Sequence, residues 1–384
     1  MAKNPIGTVL ALSAVSAVAL LILHLQPLFI GSAARQFGFN DVELGYFASL
    51  PAGASFLVFL SAPLWLNRLP IRTSIFVGCV LSALALFAMS LANSAVTLTA
   101  FFAFYAIGVS IIQVPALVAL GRMPDAESAF GVYVTSSVIM AGVLAFLIPA
   151  VVEPALGFNG FLYVVLAATL GATLFIHRLS EADLEADDQS TDTTQGGIPD
   201  IKAIIVLAAL VILYVGIIGA WAFLERLGSQ AGLDGNELGI AFATALLIGG
   251  TGPFVAAYFG DRISTVTATG ITVALFSIFI LLLLIGDVTW VTFGLALVSF
   301  NIAWNFGIPY LLAVVGRADA SGRALALAPA AMALGAGGGP ALGGNLLSSQ
   351  GPTGLIMAFG VVLAISFAMF LWVNAQNAHQ PDIL

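Results

Sequence analysis

The chain has 384 residues, 60% apolar and only 8% charged, with a formal net charge of -8 and a mean hydropathy of +1.09. Soluble domains carry about a quarter charged residues, so this composition excludes an ordinary soluble enzyme and excludes disorder outside short tails. The single cysteine, Cys79, leaves no intramolecular disulfide framework and no multi-cysteine metal site, and neither a metal nor a cofactor is expected.

Runs of about 20 apolar residues, the length that crosses a hydrocarbon core, predict spans near 6–31, 43–66, 73–92, 95–120, 128–152 and 158–177. A second set follows near 202–226, 237–259, 264–286, 289–315, 322–347 and 352–374. Only Lys3 precedes the first apolar run, which is longer than a signal-peptide core and lacks a small-residue cleavage site, so it reads as a retained span. Backbone amides in lipid must be satisfied within a helix or a closed barrel, and these runs lack the period-2 alternation of barrel strands. An all-α integral membrane protein of twelve helices is therefore expected. Between the two sets, seven of the 19 acids fall at 181–200, among Ser, Thr and Gly. That composition suits a solvated tether. The expected organisation is a six-helix bundle at 1–177, an acidic linker at 178–201 and a second six-helix bundle at 202–384.

Sorting the cations by side places Lys3, Arg68, Arg72, Arg122, Arg178, Lys202, Arg262, Arg317 and Arg323 together, against Arg35 and Arg226 on the other side. Short loops that stay in the cytoplasm retain Lys and Arg, so both termini and the linker are expected there, in a bacterial-type cytoplasmic (inner) membrane. A miscount of one helix would scramble this separation.

The halves repeat at an offset of 194. Gly38-Phe39-Asn40-Asp41-Val42-Glu43-Leu44-Gly45 aligns with Gly232-Leu233-Asp234-Gly235-Asn236-Glu237-Leu238-Gly239, and Asn67-Arg68 aligns with Asp261-Arg262. Asp125 against Asp319 and Gly160 against Gly354 continue the register. A repeat of six spans keeps its orientation, and a site then falls near the midplane where the copies face each other. On these residues the chain resembles the major facilitator superfamily of secondary transporters, of the drug/metabolite proton-antiporter type. The family's loop between spans 2 and 3 reads Gly-x-x-x-Asp-Arg-x-Gly-Arg-Arg/Lys. Here it is Pro63-Leu64-Trp65-Leu66-Asn67-Arg68-Leu69-Pro70-Ile71-Arg72, with Asn67 at the acidic position and proline at both glycine positions. The symmetric loop keeps Asp261 and Arg262. The resemblance implies a cytoplasmic latch formed by Asn67, Arg68, Arg72, Asp261 and Arg262; a capped turn with positive-inside cations explains the same residues. Gly157-Phe158-Asn159-Gly160-Phe161 is similar to the family's turn into span 6. Gly335-x-x-x-Gly339-Pro340-x-x-Gly343-Gly344 resembles the glycine-proline element of proton-coupled drug exporters, transferred from span 5 to span 11. Small residues four apart also let helix backbones approach closely, and packing or a hinge is the preferred account.

Cargo must meet polar groups inside the spans. Span 1 offers His24 and Gln26 before Pro27, span 4 offers Tyr105 and Gln113, and span 7 offers Tyr214, Trp221, Glu225 and Arg226. Span 10 carries Asn301, Trp304 and Asn305 on one helical face, then Pro309 and Tyr310. The expected substrate-binding set is His24, Gln26, Gln113, Trp221, Asn301, Trp304, Asn305 and Tyr310, with interhelical hydrogen bonding as the competing explanation. Glu225 or His24 is expected to exchange the coupling proton. For Glu225, an ion pair with Arg226 or exposure at the helix end is the structural alternative. Asp41, Glu43, Asp234 and Glu237 open spans 2 and 8, where acids favour the positive dipole end.

No charge sits clearly at the middle of a span, so the cavity is expected to take a small neutral or amphipathic organic molecule rather than a phosphate ester or nucleotide. The expected function is proton-coupled secondary transport by alternating access, with export ahead of uptake, in a monomer with no nucleic-acid partner. An uncoupled facilitator or an uptake symporter is the alternative, and a membrane scaffold or sensor a remote one. An intramembrane enzyme lacks its parts: the three histidines are far apart, and no His-Glu-x-x-His, Gly-x-Ser-x-Gly or Walker loop occurs.

Overall fold

In hydrocarbon a helix satisfies its own amides, and the computed structural model is helical throughout, with no strand among the described residues. Those are 5–179, 200–285, 287–319 and 322–378, with the side chains of Asn67, Glu127, Asp261, Asn377 and Ala378 excepted. Residues 180–199 of the expected linker lie outside them. The helices run α1 (Ile6–His24), α2 (Gln26–Phe37), α3 (Asp41–Trp65), α4 (Ile71–Ser90), α5 (Ala95–Gly121), α6 (Ala126–Leu147), a π turn (Ile148–Val152) and α7 (Glu153–Thr173). They continue with α8 (Ile201–Trp221), α9 (Leu224–Gln230), α10 (Gly235–Gly249), α11 (Gly252–Phe259), α12 (Thr265–Leu284), α13 (Trp290–Ala318) and α14 (Arg323–Ala378).

Among the described residues ten helical stretches are long and apolar enough to cross a membrane, and two of them, Ser128–Arg178 and Arg323–Gln376, have 51 and 54 residues. At 1.5 Å per residue each is about 75–80 Å long, more than twice the ~30 Å hydrocarbon thickness. Each is broken by a glycine in the left-handed region, Gly157 at φ 61° and Gly351 at φ 70°. The two therefore supply four crossings and the total is the expected twelve. Gly157 and Gly351 are 194 residues apart, as are Gly38 (φ 70°) and Gly232 (φ 91°), so the repeat read from the sequence is also a repeat of backbone conformation. Leu57, Leu60, Phe76, Phe104, Leu281, Leu295 and Val361 are all exposed. A soluble protein rarely leaves so much apolar surface in water; hydrocarbon contact accounts for it, and the chain is built as an integral membrane protein.

Helix starts are capped as the sequence dictates. Ser94 and Asp125 accept from the amides of Thr97 and Ser128 at 3.2 and 3.0 Å. Asp234 and Glu237 cap reciprocally, each side chain accepting the other's backbone N–H at 2.9 and 3.0 Å, a capping box that closes two orphan amides at once.

The described residues form two compact units, one drawn from 1–40, 50–191 and 234–246, the other from 41–49, 192–233 and 247–384. The first has a core of Leu12, Val15, Ile75, Cys79, Ile112, Ala116, Leu120 and Ile176. Its α4 and α5 cross at glycines: a Cβ on Gly78 would stand 2.7 Å from the Gly108 carbonyl oxygen. In the second unit α8 lies spine to spine with the first limb of α14. A Cβ at Gly219 would meet the Gly339 carbonyl oxygen at 2.8 Å, one at Gly339 the Val215 oxygen at 2.5 Å, and one at Gly343 the Gly219 oxygen at 2.8 Å. The four-residue glycine spacing of span 11 thus serves close backbone packing.

Candidate functional site

In the first unit the opening span is interrupted at Leu25, where α1 ends and α2 begins. Pro27 removes the amide that would bond the carbonyl four residues back, a sufficient cause for the break. His24 and Gln26 flank it, and Tyr105 and Gln113 stand on α5. The Nε2 of His24, Oε1 of Gln26, Oη of Tyr105 and Oε1 of Gln113 are all buried without a hydrogen-bond partner. Gln113 does share a side-chain hydrogen bond with Tyr133 of α6. Tyr105 stacks on Phe102 at 6.2 Å, and Phe102 belongs to a phenylalanine layer in which Phe29 packs on Phe102, Phe158 and Phe161 at centroid separations of 4.9, 5.6 and 5.3 Å. Near the end of α2, Ser32 and Arg35 both donate to Glu153 Oε1, at 2.8 and 2.7 Å. This cluster lies outside the residue set expected from sequence; its only signal there was an acid ending an apolar run before Pro154.

The second unit has a matching interruption at Ala222–Phe223, between α8 and α9. Trp221, fully buried, stacks on Phe300 at 5.7 Å and meets Trp304 edge-on at 6.2 Å. Tyr214 packs against Trp304 at 6.3 Å and shares a hydrogen bond with it. Phe276, Phe279 and Phe359 extend the cluster around Phe300. The span-10 amides behave differently from the phenol and indole. Asn301 donates to the Leu297 carbonyl at 3.0 Å and Asn305 to the Asn301 carbonyl at 2.9 Å. Their Cβ atoms face glycines, since a methyl on Gly252 would stand 2.9 Å from Asn305 Cβ and one on Gly249 would overlap Asn301 Cβ. The asparagine face of α13 is therefore packed on α10 and α11. Tyr310 lies farther along α13, where its hydroxyl donates to the Ala256 carbonyl at 3.1 Å and closes the end of α11.

Glu225 is buried in the first turn of α9. Its neighbour Arg226 reaches across the sequence to Asp41, Nε donating to Oδ1 at 2.8 Å. Asp41, expected to act as a helix-opening acid, thus also holds an ion pair. Next to it the start of α3 lies against the first limb of α14. A Cβ at Gly45 would meet the Pro340 carbonyl oxygen at 2.5 Å, one at Gly344 would overlap the Asp41 carbonyl oxygen, and Ser49 Oγ accepts the Ala341 amide at 2.9 Å. The register-equivalent of Gly45 in the first unit is Gly239, where a Cβ would stand 2.6 Å from Pro149 Cγ, on the π turn.

No protein-family model matches this chain, and no curated protein sequence does. Solved structures do match along its whole length. A D-xylose–proton symporter superposes with a TM-score of 0.73 at 12% identity, covering 96% of this chain and 97% of that one. A bacterial homologue of the human lysosomal transporter Spinster, inward-facing and occupied, gives 0.69 at 15% identity over 98% of each chain. The same homologue, inward-facing and unoccupied, gives 0.67 at 16% identity over 99% of this chain and all of that one. This chain has the major facilitator fold. In that fold the loop after α3 is a 3-10 turn, Leu66–Arg68, with Arg68 and Arg72 exposed. The corresponding turn is Gly260–Arg262; there Arg262 lies over the Tyr258 ring at 4.9 Å and donates to the Tyr258 carbonyl at 2.9 Å. The side chains of Asn67 and Asp261 lie outside the described residues. Among those residues no group of three or more His, Cys, Asp or Glu side chains could hold a metal ion.

Proposed function

We propose that this chain is a secondary transporter that moves a small neutral or amphipathic organic molecule across a bacterial-type cytoplasmic membrane by alternating access, coupled to protons, with export favoured. The observation that carries the reading is the pair of interrupted helices, α1/α2 and α8/α9, one turn apart in the repeat register of a major facilitator fold. Broken spans at corresponding places in two halves are the strongest physical pointer to a transport site, because they free polar groups at membrane depth. His24 and Gln26 flank one interruption and Trp221 borders the other; Gln113 stands on α5, Trp304 adjoins Trp221, and Asn301, Asn305 and Tyr310 continue along α13. Proton coupling draws support from the symporter among the structural neighbours and from the burial of Glu225. Glu225 and His24 are the proposed proton carriers. The latch role of Asn67, Arg68, Arg72, Asp261 and Arg262, the cytoplasmic placement of both termini and the monomeric state belong to the same proposal.

Counterflow in proteoliposomes, run with a panel of neutral aromatic and aliphatic compounds with and without a pH gradient, tests it. Saturable exchange of a neutral compound is expected, with accumulation only when the gradient is present. Exchange of no compound in the panel would overturn the reading. An uncoupled facilitator is the second reading, favoured by one observation: Glu225 and Asp319 are the only buried acids among the described residues. It predicts exchange without gradient-driven accumulation.

A further inference from the structure

The first unit carries a cluster of buried polar atoms whose chemistry restricts the guest. Phe29 of α2 touches Phe102 of α5 at 4.9 Å, and the two spans run in opposite directions. Gln26 is one turn before Phe29, and Tyr105 is one turn after Phe102. Both therefore lie at the same level, on the same side of the phenylalanine pair, with His24 two residues from Gln26. Gln26 and Tyr105 are 7% and 2% exposed, and one polar atom on each of the three side chains has no partner. A buried polar atom left unsatisfied costs about 1–3 kcal/mol, so three at one level call for a guest that completes them. Charge limits that guest. Within α1, α2 and α5 the only Asp, Glu, Lys or Arg is Arg35, and it is engaged by Glu153 at 2.7 Å. An anion would find no free cation on these helices, and an ammonium group no carboxylate.

We infer that the level formed by His24, Gln26 and Tyr105 binds the uncharged hydroxyl or amide end of the cargo, and that the adjoining Phe29–Phe102–Phe158–Phe161 layer receives an apolar ring. The inference rests on the transport reading and narrows its substrate class. A hydroxyl or carboxamide presents both donor and acceptor capacity and can meet an amide oxygen, a phenol and an imidazole nitrogen together. Tyr105 joins the site by its level, one turn from Phe102 as Gln26 is one turn from Phe29.

The test uses four probes with one skeleton and different charge: N-acetylphenylalaninamide (neutral), N-acetylphenylalanine (anion), phenylalaninamide (cation) and phenylalanine (zwitterion). Equilibrium binding to the purified full chain in lipid nanodiscs is read alongside counterflow in vesicles. The neutral probe is expected to bind about tenfold or more tighter than any charged one, as one lost hydrogen bond or an unpaired charge requires. Tyr105→Phe and Gln26→Leu should each weaken the neutral probe about tenfold. They should also raise the melting temperature of the empty protein, because each removes an unsatisfied atom; a Tyr105 held only by water or packing would show neither effect. Should Gln26→Leu fail to fold, Tyr105→Phe, which removes one oxygen, gives the reading alone. Preference for a charged probe, binding of none, or unchanged affinity in the folded variants overturns the inference. Transport is judged separately: counterflow of a charged probe would sink this site and leave the transporter standing, whereas neutral-selective binding without counterflow would retain the site and retire transport.

Discussion

Replacing Gly344 by alanine tests the contact between the start of α3 and the first limb of α14. A methyl there overlaps the Asp41 carbonyl oxygen and stands 3.1 Å from Gly45 Cα. Both obstacles are backbone, so no side-chain rotation relieves the clash and the helices must part. Overpacking of this kind costs about 1–3 kcal/mol. Where the contact belongs to one of two conformers, that energy falls on that conformer and shifts its equilibrium by about 5- to 150-fold. Gly338→Ala is the control within the same limb: its Cβ would meet Val215 Cγ2 at 3.7 Å, an ordinary contact. The assay is the alkylation rate of a cysteine placed at Ala48, which is 2% exposed, in a Cys79→Ala background. Gly344→Ala should accelerate labelling within that 5- to 150-fold range, and Gly338→Ala should leave it unchanged. Equal rates in the two variants would refute the claim that this glycine holds the helix ends together.

The Arg226–Asp41 pair is 36% and 18% exposed on its two side chains, so solvent screening holds its worth to about 1 kcal/mol or less. Asp41→Asn and Arg226→Gln should each speed labelling at position 48 about two- to fivefold, and the exchanged pair Asp41→Arg with Arg226→Asp should restore the slow rate. Glu225→Gln should abolish pH-gradient-driven accumulation in vesicles while sparing exchange, and unchanged accumulation would retire Glu225 as the proton carrier. Trp221→Ala removes a fully buried indole stacked on Phe300 and should cost about 3–5 kcal/mol, seen as a lower melting temperature and a loss of near-UV ellipticity. A melting temperature within a degree of the parent chain would contradict its place in the core.

Helix number and repeat were legible in the sequence because each follows from a one-dimensional rule. Lipid requires runs of a fixed length, and a turn needing positive φ requires glycine, so Gly38, Gly157, Gly232 and Gly351 mark the same two corners twice. The span-11 glycines likewise announced close packing. What periodicity could not supply was the partner of each polar face. Asn301, Trp304 and Asn305 share a stripe, yet the amides are bonded to their own helix and packed on Gly249 and Gly252, whereas Trp304 joins an aromatic cluster. Spacing locates a face and is silent about what meets it. The ion pairs were illegible for the same reason: Arg226 and Asp41 are 185 residues apart and Arg35 and Glu153 are 118 apart.

The repeat also shows where duplication stops being informative. Backbone features hold their register: Gly45 and Gly239, equivalent positions, each mark a close helix approach, one against Pro340 and one against Pro149. Side-chain chemistry at the two interrupted spans does not hold. The first unit leaves His24, Gln26 and Tyr105 with unpartnered atoms, while in the second Tyr214 and Trp304 hydrogen-bond each other and Trp221 stacks on Phe300. A copied backbone keeps the corners and the close packing that the fold needs, so those positions are bound by sterics in both copies. The residues at the breaks carry no such constraint and can diverge. On the proposed reading, selectivity for a polar group has its physical basis in the first copy's unsatisfied atoms, and substitutions at His24, Gln26 or Tyr105 should change which compound binds before they change whether the chain folds.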